Sequence, residues 1–238
     1  MNILAIESSG NVASVAVVNE KEVLAEFTTN HKKTHSVTLM PLVSYMMDMA
    51  EMSMEEIDHI AVSSGPGSFT GLRIGGATVK ALAHGSGKTI IPVPTLDALA
   101  YNIFMENSVI VPIMDARRSE VYTCAYICEN GELNALMPHT AESFDNLIER
   151  IKKLNKPAVF LGDGCFVHGE KIIAHGFEIA QSNNLVQRAA SVGALAIKYA
   201  GEGKAVGYDK LELTYLRKPQ AEREYDERNR TDDRGSTV

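Results

Sequence analysis

The chain contains no tryptophan and only three cysteines. No apolar run comes near the ~18 residues that a membrane-crossing helix needs, so no membrane association is expected. Positive charge is in deficit: 30 acidic residues against 23 Lys and Arg give a formal net charge of -7. That balance excludes a surface-wide electrostatic grip on nucleic acid or anionic lipid, although it leaves room for a local basic patch. The first ten residues, MNILAIESSG, show neither a basic leader segment nor a small-residue cleavage site, so no secretory signal is expected. Cys124, Cys128 and Cys165 form no framework. Their odd number points to a reducing compartment and to the cytoplasm. Cys124 and Cys128 fall on one expected strand, where four residues at ~3.3 Å each hold them roughly 13 Å apart, beyond disulfide reach. All three read as small buried apolar side chains.

With 238 residues, the chain can build one large domain or two small ones. Apolar residues 3–6 ending at Glu7, the partly alternating VASVAVV and the alternating 21–27 read as three strands of a meander. Apolar residues at 39, 42, 43, 46 and 49/50 predict a helix over 36–52, with Pro41 kinking it or marking its first turn. Ser53 and Glu56 have the spacing of a capping box. A strand over 60–63, a glycine turn, a helix over about 68–84 and a strand over 89–93 follow, and Thr95 is expected to cap a helix reaching about residue 105.

The second half repeats the first. SVIVPIMDARRSEVYTCAYI set beside NILAIESSGNVASVAVV places Asp115 where Glu7 stands, each ending a buried strand ahead of a polar turn. VFLGDG at 159–164 answers AVSSGPG at 61–67, and helical segments over 36–52 and 141–154 precede them. These parallels predict an α/β chain of two duplicated lobes facing across a cleft, residues 1–106 and 107–218. A last helix over 185–200 is expected to be able to pack back on the first lobe. Residues 219–238 are charged, nearly free of apolar side chains and expected to be a disordered tail.

The segment GPGSFTGLRIGGATVKALAHGSGKT raises the question of nucleotide binding. The final GSGKT fails as a phosphate loop: the first glycine of that motif would fall at Leu82, and the order is helix then strand. A helix C-terminus presents carbonyls and partial negative charge, so Gly87 reads as a C-cap. GPGSFTG has the right order but no lysine, and Ser68 reads as an N-cap. Gly71, Gly75 and Gly76 in a helix interior, each costing ~1 kcal/mol against alanine, predict close approach of another backbone, inside this chain or from another. His31 and His35 have metal-ligand spacing but no acidic third ligand beside them. No G-x-S-x-G or H-E-x-x-H pattern is present. Six methionines between 40 and 54 cover more than one helix face, which suits a core or an adaptable interface.

ILAIESSGNVASVAVV, HSVTLMPLV, AVSSGPGSFTGLRIGGATVKALA, VPTLDALA, MDARRSEVY, GDG and YLRKPQAER together resemble the TsaB family, relatives of TsaD long grouped with glycoprotease-like proteins. The resemblance covers most of 1–223. It implies an actin-like, Hsp70-like fold of two duplicated lobes and a role in making threonylcarbamoyladenosine in tRNA next to the anticodon. It further implies a non-catalytic scaffold without cofactor or metal, not a peptidase. Such a scaffold pairs with TsaD, is joined by the ATPase TsaE, meets tRNA through the complex and forms a homodimer when alone. TsaD-like proteins carry a metal-binding H-x-x-x-H where this chain has Thr95 and Leu99. Arg117 and Arg118 replace glycine in the second hairpin turn, leaving less room for phosphate, which weighs against the rival reading of an ATP-binding enzyme. On this resemblance the helices over 36–52 and 68–84 form the TsaD-binding face, with Leu39, Leu42, Val43, Met46, Phe69, Gly71, Leu72, Gly75 and Val79 as interface residues. A Gly75→Leu change is expected to block pairing while leaving the fold intact.

Overall fold

The computed structural model describes residues 1–31 and 34–217. Strands β1 (Ile3–Glu7), β2 (Ala13–Val18) and β3 (Val23–Thr29) lead into helix α1 (His35–Met49). They are followed by β4 (His59–Gly65), α2 (Phe69–Ser86), β5 (Thr89–Pro94) and α3 (Thr95–Ala100). The series then recurs as β6 (Val109–Asp115), β7 (Glu120–Glu129), β8 (Glu132–Ser143) and α4 (Phe144–Lys153). It closes with β9 (Ala158–Leu161), α5 (Gly164–Ala174), β10 (Glu178–Ile179) and α6 (Ala189–Gly201).

Two five-stranded mixed sheets result, ordered β3-β2-β1-β4-β5 and β8-β7-β6-β9-β10. In each, the first strand runs antiparallel to the second and parallel to the fourth. This is a duplicated α/β architecture of two matching lobes. The correspondence reaches single residues. Gly65 ends β4 at φ 111° and Gly162 follows β9 at φ 107°. A Cβ on Gly65 would stand 2.2 Å from the Thr214 carbonyl oxygen, and one on Gly162 2.1 Å from that of Ile113. Only glycine fits either turn.

β1 is buried along its whole length, as a central strand covered on both faces must be. One face of the first sheet packs on α1 and α2 through Leu4, Ile6, Leu39, Met46 and Val79. The other face, with Ile3, Ala5 and Val18, is covered by Val192, Leu195 and Ala196 of α6. Gly193 allows this: a Cβ there would lie 2.5 Å from Val18 Cγ2. Conversely α3 covers the second sheet, its Leu96 and Leu99 meeting Ile110, Met114 and Cys124. Each sheet is thus sealed by a helix that follows the other half's series in the chain.

Several expectations shift. α1 stops at Met49 because Glu51 turns left-handed at φ 53°. Pro41 sits inside α1 rather than in its first turn, so the Val37 carbonyl has no helical donor. α3 ends at Ala100, Pro94 stands at its N-cap, and the Thr95 hydroxyl caps nothing. β8 occupies residues expected to begin a helix; that helix starts later, with Ser143 Oγ accepting from Asn146 N at 3.3 Å. Its Pro138 is tolerated on an edge strand. α6 begins at Ala189, four residues later than expected. Met47 is buried in the core, so the methionines standing out from α1 are Met40 and Met49. The stretch 219–238, expected to be a disordered tail, lies outside the described residues.

Candidate functional site

Two features stand out: a cleft between the halves and an apolar face on α1. The cleft encloses about 520 Å³ between the β1–β2 turn, the glycine turn before α2 and the β6–β7 turn. Its backbone donors decide what it can hold. Ser9 N donates to Glu7 Oε1 at 2.6 Å, and Ser68 N to the Ser9 carbonyl at 2.7 Å. In the second turn Arg117 N donates to Asp115 Oδ1 at 2.8 Å, and Asp115 N to Asp163 Oδ1 at 3.2 Å. Four of the amides in and beside these turns are therefore engaged by the chain's own acceptors.

The two acids that the duplication pairs behave differently. Glu7 is buried and accepts from Ser9 Oγ and Ser63 Oγ as well as Ser9 N. Burial raises its pKa, and the hydrogen bonds from Ser63 and Ser9 oppose that rise. Its carboxyl staples β1 to β4 rather than lining the cleft. Asp115 is exposed and does line it. Beside it, burial first and then the charges of Asp115 and Glu7 push Asp163 up to about 6.

Arg117, Arg118 and Ser119 have φ of 62°, 56° and 60°. Each left-handed non-glycine residue costs roughly 1–2 kcal/mol. Arg217 clasps the base of this turn, donating to the Ala116 carbonyl at 2.8 Å and pairing with Glu120.

The GSGKT segment behaves as a helix end. Gly87 caps α2 at φ 67°, and Lys88 N donates to the Ala83 carbonyl at 3.0 Å. Lys88 Nζ points to the Glu55 carbonyl, 3.2 Å away. Ser68 Oγ accepts from Gly71 N, and the Ser53–Glu56 capping box is formed. All three cysteines are buried and free.

The residues proposed from sequence as a partner face divide. Leu39, Val43, Met46, Leu72 and Val79 are buried in the chain's own core. Gly71 and Gly75 are accounted for internally: a Cβ on either would meet Ser8, at 2.1 Å from its carbonyl oxygen and 2.2 Å from its Oγ. Gly76 makes room for Leu213. A Gly75→Leu change would therefore disrupt the fold, contrary to the expectation that it leaves the fold intact. Leu42 and Phe69 are half-buried. Phe69 packs on Tyr215 at 5.0 Å, with the Arg73 guanidinium 3.8 Å above its ring.

What α1 does offer outward is Val37, Tyr45 and Met49, 62%, 55% and 61% exposed. With Pro41 they form a row at four-residue spacing, one face of a helix. Val37, Pro41, Leu42 and Tyr45 line a groove of about 810 Å³ against Thr29 of β3. The apolar period had placed position 49/50 on the buried stripe, but Met49 is exposed, and Val37 and Tyr45 lie off that period.

A family model described as TsaD, tRNA N6-adenosine threonylcarbamoyltransferase, matches residues 22–206. The tRNA threonylcarbamoyladenosine biosynthesis protein TsaB of Bacillus subtilis is 37% identical over 172 residues, covering 72% of this chain and 75% of that protein. The Escherichia coli protein of the same name is 30% identical over 220 residues, covering 91% and 95%. The chain belongs to the TsaB family. The solved structure of YeaZ from Pseudomonas aeruginosa shares its fold, with a TM-score of 0.72 at 22% identity over 90% of this chain and 99% of that one.

As a member of the TsaB family, the chain belongs with the proteins of tRNA threonylcarbamoyladenosine biosynthesis. Within the stretch that the TsaD model matches, Thr95 and Leu99 are buried in the core. Neither side chain supplies the imidazole nitrogen that an H-x-x-x-H metal site uses. Among the described residues no helix is long and apolar enough to cross a membrane.

Proposed function

We propose that this member of the TsaB family is a non-catalytic, cytoplasmic subunit that binds and activates TsaD. TsaD transfers the threonylcarbamoyl group to tRNA, TsaE joins the pair, and tRNA meets the chain through the complex. No cofactor or metal is assigned to this chain. The observation that carries the reading is the outward apolar row of Val37, Tyr45 and Met49 beside the α1–β3 groove. Large apolar side chains left in water on one helix face favour burial against a partner. Leu42 lines the groove, and Leu39, Val43 and Met46 anchor the opposite face of α1 in the core. In the absence of TsaD the same face pairs two copies of the chain.

The engaged Ser9 and Arg117 amides and the inward Glu7 support the non-catalytic part of the reading. Transfer to tRNA by TsaD and TsaE, measured with and without this chain, tests it. Transfer is expected to need the chain and to survive Asp115→Ala in it. Loss of transfer with Asp115→Ala, while the complex still forms, would contradict a scaffold role.

A further inference from the structure

Beyond Gly201 the chain runs back over the first half. Val206 and Ile90 exchange backbone hydrogen bonds of 2.8 Å in both directions, and Leu211 enters the core. Leu213 lies over Gly76, where a Cβ would stand 3.2 Å from it. Thr214 N then donates to the Ser64 carbonyl at 2.7 Å. The missing side chain of Gly65 is what admits the Thr214 carbonyl. Tyr215 packs on Phe69 at the start of α2.

Two residues later the same segment has crossed to the second half. Arg217 donates to the Ala116 carbonyl and pairs with Glu120, with only 16% of its side chain exposed. These two acceptors bracket the three left-handed residues of the β6–β7 turn. Tyr215 and Arg217 both line the inter-lobe cleft.

We propose that residues 214–217 are a latch across the inter-lobe cleft, fastened to the glycine turn of the first half at Thr214 and Tyr215 and to the β6–β7 turn of the second at Arg217. Three features favour a latch over incidental packing. The contacts at its two ends belong to different sheets, only one residue separates Tyr215 from Arg217, and the far end grips a strained turn that needs outside support to persist. A charged hydrogen bond donated by a largely buried guanidinium is directional and strong, so it fixes the turn rather than merely touching it. Opening the cleft requires Arg217 to leave both acceptors, and a freed Arg217 loosens the segment back to Thr214. The proposal does not depend on TsaD or on any ligand.

Hydrogen exchange of the full chain tests it through amides at both ends: Ala116 N, bonded to the Glu120 carbonyl, and Thr214 N, bonded to the Ser64 carbonyl. Arg217→Ala is expected to speed exchange at both by tenfold or more, leaving β1 and β6 unchanged. Tyr215→Ala is expected to do the same from the other end. Glu120→Gln, at a half-exposed position, gives the same readout if Arg217→Ala does not fold. Acceleration confined to the mutated end, or none at all, overturns the latch.

Discussion

Ser8 Oγ donates to the carbonyl of Gly71 at 2.9 Å and occupies the space that a side chain on Gly75 would need. One turn of α2 is thereby pressed onto the β1–β2 turn, which is why a helix interior carries glycines at a cost of ~1 kcal/mol each. Gly75→Ala is expected to destabilise the chain by about 2–3 kcal/mol through overpacking. Ser8→Ala removes the oxygen that the new methyl would strike. The double variant should therefore lose clearly less than the sum of the two single changes in urea unfolding. Strict additivity would mean the contact does not limit the helix position.

The halves are also tied together through Asp97 of α3. His139 of β8 lies 2.7 Å from Asp97 Oδ1, Tyr126 of β7 donates to the same oxygen, and Tyr199 of α6 donates to Oδ2 at 3.1 Å. Burial alone would lower the His139 pKa, but hydrogen bonds with Asp97 and Cys124 and the Asp97 charge raise it to about 9. The folded chain then holds a proton that an unfolded histidine releases near 6.5. This contribution is complete below pH 6.5 and is lost as pH rises through about 9. Allowing for solvent screening it is worth about 2 kcal/mol. The unfolding temperature is expected to fall as pH rises across that window in the wild type, and His139→Ala should flatten the slope.

Asp163 contributes with the same sign of pH dependence, over a lower window. Its pKa of about 6 lies above that of an unfolded aspartate. Folding is therefore favoured by its proton at low pH, and that benefit is lost as pH rises from about 4 through 6. Above that range Asp163 is an unfavourable charge beside Asp115 and Glu7. Asp163→Asn keeps an oxygen to accept from Asp115 N and removes the charge. It should stabilise the chain by about 2 kcal/mol at pH 7.5 and little at pH 4, as read from unfolding midpoints at the two pH values.

The Ser9 and Arg117 amides, one in each hairpin turn, are held by the chain's own carboxylates, which predicts that the isolated chain does not take up ATP with magnesium. Titration calorimetry is expected to show no saturable heat up to millimolar nucleotide. A saturable isotherm would require those turns to rearrange, and would return the cleft to consideration as a catalytic site.

How much of this was legible in the sequence depends on which physical signal each part left. The repeated strand–acid–turn–strand pattern around Glu7 and Asp115 is a local signal, and the two matching sheets follow from it. Gly87, Ser68 and the Ser53–Glu56 pair announce helix ends through short-range chemistry. β8 was hidden because its residues lack β-branched alternation and include Pro138, acceptable only because the strand lies at an edge. The role of Gly71 and Gly75 was legible only in half. Their spacing told of close approach but not of its partner, Ser8, 63 residues from Gly71 in the chain. In the same way the period of α1 marked apolar residues, while burial alone separates inward Leu39, Val43 and Met46 from outward Val37, Tyr45 and Met49.

The central claim is that this outward row is the surface that TsaD covers. Calorimetric titration of TsaD from the same organism into the wild type and into Met49→Asp and Tyr45→Asp tests it most directly. Both changes place a charge on an exposed position and should leave the fold intact. Affinity should drop at least tenfold, roughly 1.4 kcal/mol or more, because a charge buried at an apolar contact must be desolvated. Unchanged affinity in both variants, with the wild type binding tightly, would place the TsaD contact elsewhere on the chain.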